Sequence, residues 1–253
     1  MVRNEVPSKG DFRVVPPGTR ACVVVFHEVW GLVEHTGDVC KRIGKLGFAA
    51  VAPNLYRGYD SILTPAKIQR AMKAVWELSL EERRNREKVE QTLERKGASE
   101  DVRRAIQILY DQGFREKLLT NAVKSAELAR SEFDSVATLG FCIGGGLALR
   151  VATKTNKVDS VAGFYGEPPG PEDIGRISVP ALAVYAQEDE IINQKVPDFV
   201  RAMLEMGKDL TLKTYPKTKH GFFNDTRREV YDRRAAVDSW ELTRWYLERT
   251  LEH

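Results

Sequence analysis

Five short stretches of the chain are apolar almost throughout and rich in β-branched residues: 21–26 (ACVVVF), 47–53 (GFAAVAP), 136–140 (VATLG), 160–165 (SVAGFY) and 181–186 (ALAVYA). Runs of this length, apolar at both odd and even positions, predict strands buried on both faces. A sixth, 210–215 (LTLKTY), alternates apolar with polar residues and reads as the edge of the same sheet. Helical spacing fills the gaps. It runs over 34–45, where Val39, Ile43 and the following Leu46 share one side, and over 117–131, 145–153, 196–206 and 230–251. Strands alternating with helices predict a mostly parallel sheet with helices on both faces. The stretch 64–113 breaks the alternation: it is charged and helix-prone, with no strand-like run. It predicts two or three helices inserted at about 62–113, either packed over the strand ends as a cap or extending the surface. With no internal repeat and no low-complexity linker, the chain reads as a single α/β domain.

In such sheets ligands bind at the carboxyl ends of the strands. The residues just past those ends are His27-Glu28, 54–57, Cys142, Gly166-Glu167, 187–189 and, a few residues after the last strand, His220. One of these positions is distinctive. Gly140-Phe141-Cys142-Ile143-Gly144 follows a strand, and Gly145 and Gly146 open a helix. A nucleophile on a sharp strand-to-helix turn needs small neighbours, because the two backbones come close, and that is the physical content of the G-x-S-x-G elbow. The competing reading, a phosphate loop, needs G-x-x-x-x-G-K-[ST] or G-x-G-x-x-G, and the segment fits neither.

A thiol nucleophile needs a base, and the base needs an orienting acid, in the chain order nucleophile, acid, histidine. Of the four histidines, His27 and His35 precede Cys142 and His253 is terminal, so His220 in K217-T-K-H-G-F-F is the expected base. A lone loop histidine is ordinarily a surface residue, and the elbow is what raises His220 above that reading. The acid is expected among Glu188, Asp189, Glu190 and, more distantly, Asp198. Asp189 is preferred for its short side chain at the third position past the strand, Glu188 remains an alternative, and Q187-E-D-E190 also fits a solvated acidic turn. The backbone N–H groups of Ile143 and Val29 are the expected oxyanion donors.

Composition narrows the function class. The chain has 253 residues, 42% hydrophobic and 30% charged, which suits a soluble globular protein with a full core. Its formal charge of +3 is small, and pairs such as Arg83-Arg84, Arg103-Arg104 and Arg227-Arg228 stand among acids, so no nucleic-acid partner is expected. No apolar run approaches the roughly 20 residues of a membrane helix, and the first twelve residues lack a signal-peptide core. Cys22, Cys40 and Cys142 form an odd set without metal-ligand spacing, so no metal is expected and a reducing cytoplasm fits. Cys22, in a strand, and Cys40, on a helix, are expected to be inert.

Four segments carry a resemblance: F26-H-E-V-W-G31, G140-F-C-I-G-G145, A186-Q-E-D-E190 and H220-G-F-F-N-D225. In order and spacing the chain resembles the dienelactone hydrolase family, the cysteine branch of the α/β-hydrolase superfamily. The resemblance implies that fold and a Cys142–His220–Asp189 triad without cofactor. The implied reaction is hydrolysis of a small lactone or activated ester through a thioester. It also implies that Glu28 hydrogen-bonds Cys142 in the resting enzyme and helps form the thiolate when substrate arrives; the plainer readings of Glu28 are a helix cap or a surface charge. A general carboxylesterase or thioesterase, or a ligand-binding homologue without turnover, are the other readings. Expected pocket residues are Trp30, Tyr56, Arg57 and Phe222, with Phe223 beside them, the aromatic ones being equally suited to the core. The family has an arginine shortly after the catalytic histidine. Here Asn224 stands four residues after His220, so Arg227 or Arg228 could serve only if the loop takes a different path. A monomer or small homo-oligomer is expected.

Overall fold

All six apolar runs are strands, joined by a seventh that the pattern did not announce. The computed structural model describes residues 10–251, so His253 and residues 1–9 of the polar N-terminal stretch lie outside the described residues. The elements run β1 (Phe12–Val14), β2 (Ala21–Phe26), α1 (Glu34–Lys45), β3 (Ala49–Ala52), α2 (Pro65–Val75), α3 (Leu80–Arg84), α4 (Arg86–Arg95), α5 (Glu100–Tyr110), α6 (Gln112–Glu132), β4 (Ser135–Phe141), α7 (Ile143–Val151), β5 (Ser160–Phe164), α8 (Pro171–Ile174), β6 (Ala181–Ala186), α9 (Glu190–Asn193), α10 (Val196–Glu205), β7 (Leu210–Tyr215) and α11 (Arg233–Leu251). The sheet order is β1-β3-β2-β4-β5-β6-β7, with β1 antiparallel to β3 and the other pairs parallel. Strand β7 lies at the edge, as its alternation predicts. This is the α/β-hydrolase fold.

Strand periodicity assigns the two faces. From β2, Cys22, Val24 and Phe26 pack with α6, α7, α10 and the inserted helices; Val23 and Val25 pack with α1 and α11. The insertion comprises four helices, α2 to α5, rather than two or three. Its breaks are written in capping residues: Thr64 and Pro65 start α2, Ser79 and Glu82 form a capping box on α3, and Asn85 caps α4. Its inner faces, including Ile68, Leu93, Val102 and Ile106, are buried in the same cluster as β2 and α6. The insertion is therefore core on one side and, through α2, wall of a cavity on the other.

The parallel core brings β4 alongside β2 from Ala21↔Ser135 to Phe26↔Gly140, so both strands end at one level. There α7 starts so close to the sheet that side chains have no room. A Cβ on Gly144 would stand 2.3 Å from the Phe26 carbonyl oxygen, and one on Gly140 would stand 2.0 Å from the Gly144 carbonyl oxygen. Backbone atoms cannot yield as a flexible side chain can. Gly144→Ala is therefore expected to cost stability at or beyond the top of the roughly 1–3 kcal/mol typical of overpacking, read as a fall in the urea midpoint. A midpoint unchanged from wild type would contradict the close approach.

Candidate active site

Cys142 sits on the reversal between β4 and α7 with φ 56° and ψ −123°. A non-glycine residue held there stores on the order of 1–3 kcal/mol of backbone strain. The surroundings fix it: its N–H donates to the Phe164 carbonyl at 3.0 Å and its carbonyl accepts from Gly146 N at 3.1 Å. The side chain is half-buried, unlike those of Cys22 and Cys40. Burial pushes the Cys22 thiol up to about 12 and the Cys40 thiol higher still, which keeps both protonated and unreactive.

The loop after β2 faces the head of α7. His27 is buried; its Nε2 accepts from Leu55 N at 3.3 Å, so Nδ1 carries the proton and donates to the Glu28 carbonyl at 2.7 Å. Tyr56 Oη donates to the Val29 carbonyl at 2.9 Å, and Gly31 N donates to the Glu28 carbonyl at 3.1 Å. These bonds tie the loop down while the Val29 N–H stays unused among the described residues. The Ile143 N–H, at the first position of α7, is free in the same sense. Burial, the largest influence, lowers His27 to about 4 despite its hydrogen bonds.

His220 and Asp189 meet across the ends of β7 and β6, with Nδ1 to Oδ2 at 2.6 Å. Two backbone bonds stitch the loops that carry them: Gln187 N to the Tyr215 carbonyl at 3.0 Å and Glu188 N to the Thr218 carbonyl at 2.9 Å. Asp189 is buried and also caps α9 through Ile192 N, whereas Glu188, Glu190 and Asp198 are exposed. The choice among the acids thus falls to Asp189 on geometry. Burial alone would lower His220. The electrostatic pull of the Cys142 sulfur beside it, the hydrogen bond to Asp189 and the Asp189 charge outweigh it and hold His220 well above the ordinary histidine range. Sulfur, imidazole and carboxylate thus come together from three separate loops.

Glu28 is buried close by, but its contacts differ from the expectation. Oε1 accepts from Tyr165 Oη at 3.2 Å and Oε2 from Asn224 Nδ2 at 2.6 Å; no hydrogen bond joins it to Cys142. A buried carboxylate takes the strongest available donors, and an amide and a phenol outcompete a thiol. Tyr165 escaped the sequence reading. It lies one residue past β5 with φ 38°, its ring centroid 5.0 Å from that of His220. Burial first, then the charges of Glu28 and Cys142, raise its hydroxyl well above 10, so it remains a donor. A bulky residue with positive φ has no sequence signature, although its place just past a strand end does.

Three expected pocket residues belong elsewhere. Tyr56 is buried and spends its hydroxyl on the Val29 carbonyl; Phe222 is buried between Tyr165 and Tyr215; Arg57 is exposed and pairs with Asp11 at 2.9 Å. Phe223 likewise packs in the core, against Phe141 and Phe164. Trp30 does line a cavity of about 530 Å³, together with Gln69, Lys73 and Trp76 of the insertion side and Asn224 and Arg227. The loop path does differ from a plain continuation. It turns at Gly221 (φ 87°) and again where Arg227 N donates to the Asn224 carbonyl at 3.1 Å. Arg227 is thereby brought 5.3 Å from both the Trp30 and the Trp76 rings, while Arg228 is exposed. Cys142 and His220 do not line this cavity; Asn224, bonded to Glu28, links it to them.

The profile of the dienelactone hydrolase family matches residues 12–251. The chain belongs to that family. A protein of Saccharolobus solfataricus, provisionally named a carboxymethylenebutenolidase, is 35% identical over 240 residues, covering 94% of this chain and 93% of its own. One from Aquifex aeolicus with the same provisional name is 27% identical, covering 95% and 92%. A solved structure from Klebsiella pneumoniae, provisionally named a dienelactone hydrolase, superposes with a TM-score of 0.66 at 19% identity over 94% of each chain. This dienelactone hydrolase family member is a hydrolase of ester or lactone bonds. Among the described residues no helix is long and apolar enough to cross a membrane, and no cluster of three or more His, Cys, Asp or Glu side chains is arranged to hold a metal.

His27 makes the site's anchoring sensitive to acid. Its pKa in the fold, about 4, lies below the ordinary 6.5, so the unfolded chain takes up the proton first. The stability it contributes is complete above about pH 6.5 and is lost as the pH falls towards 4, by at most about 3 kcal/mol. His27→Gln is expected to flatten that part of the stability profile, measured by urea titration between those values. A profile parallel to wild type would contradict the assignment.

Proposed function

We propose that this enzyme hydrolyses a small lactone or activated ester bearing a carboxylate, by acyl transfer through Cys142. The reading rests on one observation: Cys142 is held at positive φ at the head of α7, beside an imidazole hydrogen-bonded to Asp189. The Cys142 thiolate attacks the carbonyl, and the oxyanion develops against the N–H groups of Val29 and Ile143, where the positive end of α7 also lies. His220, oriented by Asp189, gives its proton to the leaving oxygen. In a lactone that oxygen remains tethered to the acyl group. The imidazole then takes a proton from water as it attacks the thioester, and thiolate and imidazolium are restored.

The cavity supports the anionic class of substrate. Arg227 stands beside the edge-to-face pair of Trp30 and Trp76 and bonds to Glu229 at 3.0 Å, and Lys73 makes no ion pair among the described residues. A planar acyl group with a carboxylate would stack on Trp30, meet Lys73 and take the place of Glu229 on Arg227. The names of the relatives denote a butenolide with a carboxymethylene substituent, which is of that class.

The test pairs a carboxylate-bearing lactone with its methyl ester. His220→Ala is expected to lower kcat on both by about 10³-fold or more with an unchanged circular dichroism spectrum. Arg227→Gln is expected to raise KM for the carboxylate by roughly 10–100-fold, the worth of a charge-assisted bond, and to leave the methyl ester within a few-fold. Full activity in His220→Ala would remove the base, and equal effects of Arg227→Gln on both substrates would remove the anion subsite.

A further inference from the structure

Resting on the reading of Cys142 as nucleophile, we propose that Tyr165 and Asn224 are positioning residues that hold Glu28 off the sulfur, so that Cys142 and His220 form their ion pair before substrate binds. Three groups make the clamp, and all are buried: Glu28 is 2% exposed, Asn224 1% and Tyr165 0%. The orientation of the Asn224 amide is fixed by its other end, because Oδ1 accepts from Thr226 N at 3.1 Å and from Thr226 Oγ1 at 2.7 Å. Nδ2 is therefore the end that meets Glu28, at 2.6 Å. Tyr165 is fixed through its backbone, which bonds to the Val184 carbonyl at 2.7 Å and holds φ at 38°. Its ring stands between the carboxylate and the His220 ring, 5.0 Å from the latter, with the hydroxyl on Glu28 Oε1.

Glu28 thus has one rigid neutral donor for each oxygen. To turn to the thiol it would have to strand a buried amide or hydroxyl, which costs more than a thiol hydrogen bond returns. The sulfur is left to the imidazole, and the imidazole to Asp189. The charged and titratable groups around the pair are Glu28 and Tyr56 from the strand-end loops, Tyr165 after β5, and Asp189 after β6. Arg227 acts on Tyr165 from the cavity side, and His35 of α1 lies within the field of Glu28. Of these Glu28 is the carboxylate bonded only to neutral groups, and its fixed position is what the clamp controls.

The experiment follows alkylation of the full-length protein by iodoacetamide between about pH 4.5 and 9.5, reading the mass of the Cys142 peptide and the loss of hydrolysis in parallel. In wild type the alkylation midpoint is expected below that of a free thiol. Asn224→Ala and Tyr165→Phe should each move it up by about one unit, and adding Glu28→Gln to Asn224→Ala should return it to the wild-type value or below. A purely structural role would lower the melting temperature and leave the midpoint unmoved. Tyr165→Phe removes a single hydroxyl and supplies the reading if Asn224→Ala fails to fold. A wild-type midpoint near that of a free thiol, or wild-type midpoints in both variants, overturns the clamp. Alkylation of Cys142 that leaves hydrolysis intact instead overturns its role as nucleophile, and the peptide mass keeps the two failures apart.

Discussion

The site depends on one steric constraint: the approach of α7 to the ends of β2 and β5. Glycines at 140, 144 and 145 let helix and sheet backbones stand closer than any Cβ permits, with a Cβ on Gly145 falling 2.5 Å from the Phe164 carbonyl oxygen. The chain can reverse there only if the intervening residue takes a positive φ, and that residue is Cys142. The same reversal leaves the Ile143 N–H without an intrahelical partner at the head of α7, which the β2 loop faces. Strained cysteine, free donor and facing loop are thus consequences of one packing solution.

Electrostatics builds on that frame. Two buried carboxylates of the strand-end loops have opposite assignments. Asp189 bonds to an ionisable ring and stabilises a positive charge on it; Glu28 bonds to an amide and a phenol, which carry none. One carboxylate favours the imidazolium and the other is kept out of the thiol's reach. The neighbouring buried histidine, His27, is forced to be neutral and acts as a hydrogen-bonded strut between the loops after β2 and β3. Groups of the same chemical type therefore do different work according to their donors and their burial.

Much of this was legible in the residues. Strands buried on both faces need apolar side chains at every position, so runs such as ACVVVF could not be mistaken, and the elbow declares itself because close approach demands glycine. Asp189 could be preferred over Glu188 for its length, although only the fold shows that it is turned inward while Glu188 is exposed. Other features carry no local signal. Strand β1 has three residues and exists through its pairing with β3. Tyr56 and Phe222 look the same in sequence whether they face a ligand or the core. The turn that brings Arg227 over Trp30, and the tilt that brings Tyr165 onto Glu28, depend on loops whose path the residue pattern does not encode. The insertion lies between: its helical character was legible, but the pattern predicted two or three helices where four form, and its charged composition hid how much of it is core.

The central claim is that the reaction passes through a bond to one sulfur. Mixing the enzyme with a slowly hydrolysed activated ester, quenching in acid within the first turnover and digesting for mass spectrometry tests it directly. The account predicts the mass of the acyl group on the peptide containing Cys142, removable by hydroxylamine as a thioester is. Turnover without any acylated peptide, or an acyl group on a different residue, would contradict it.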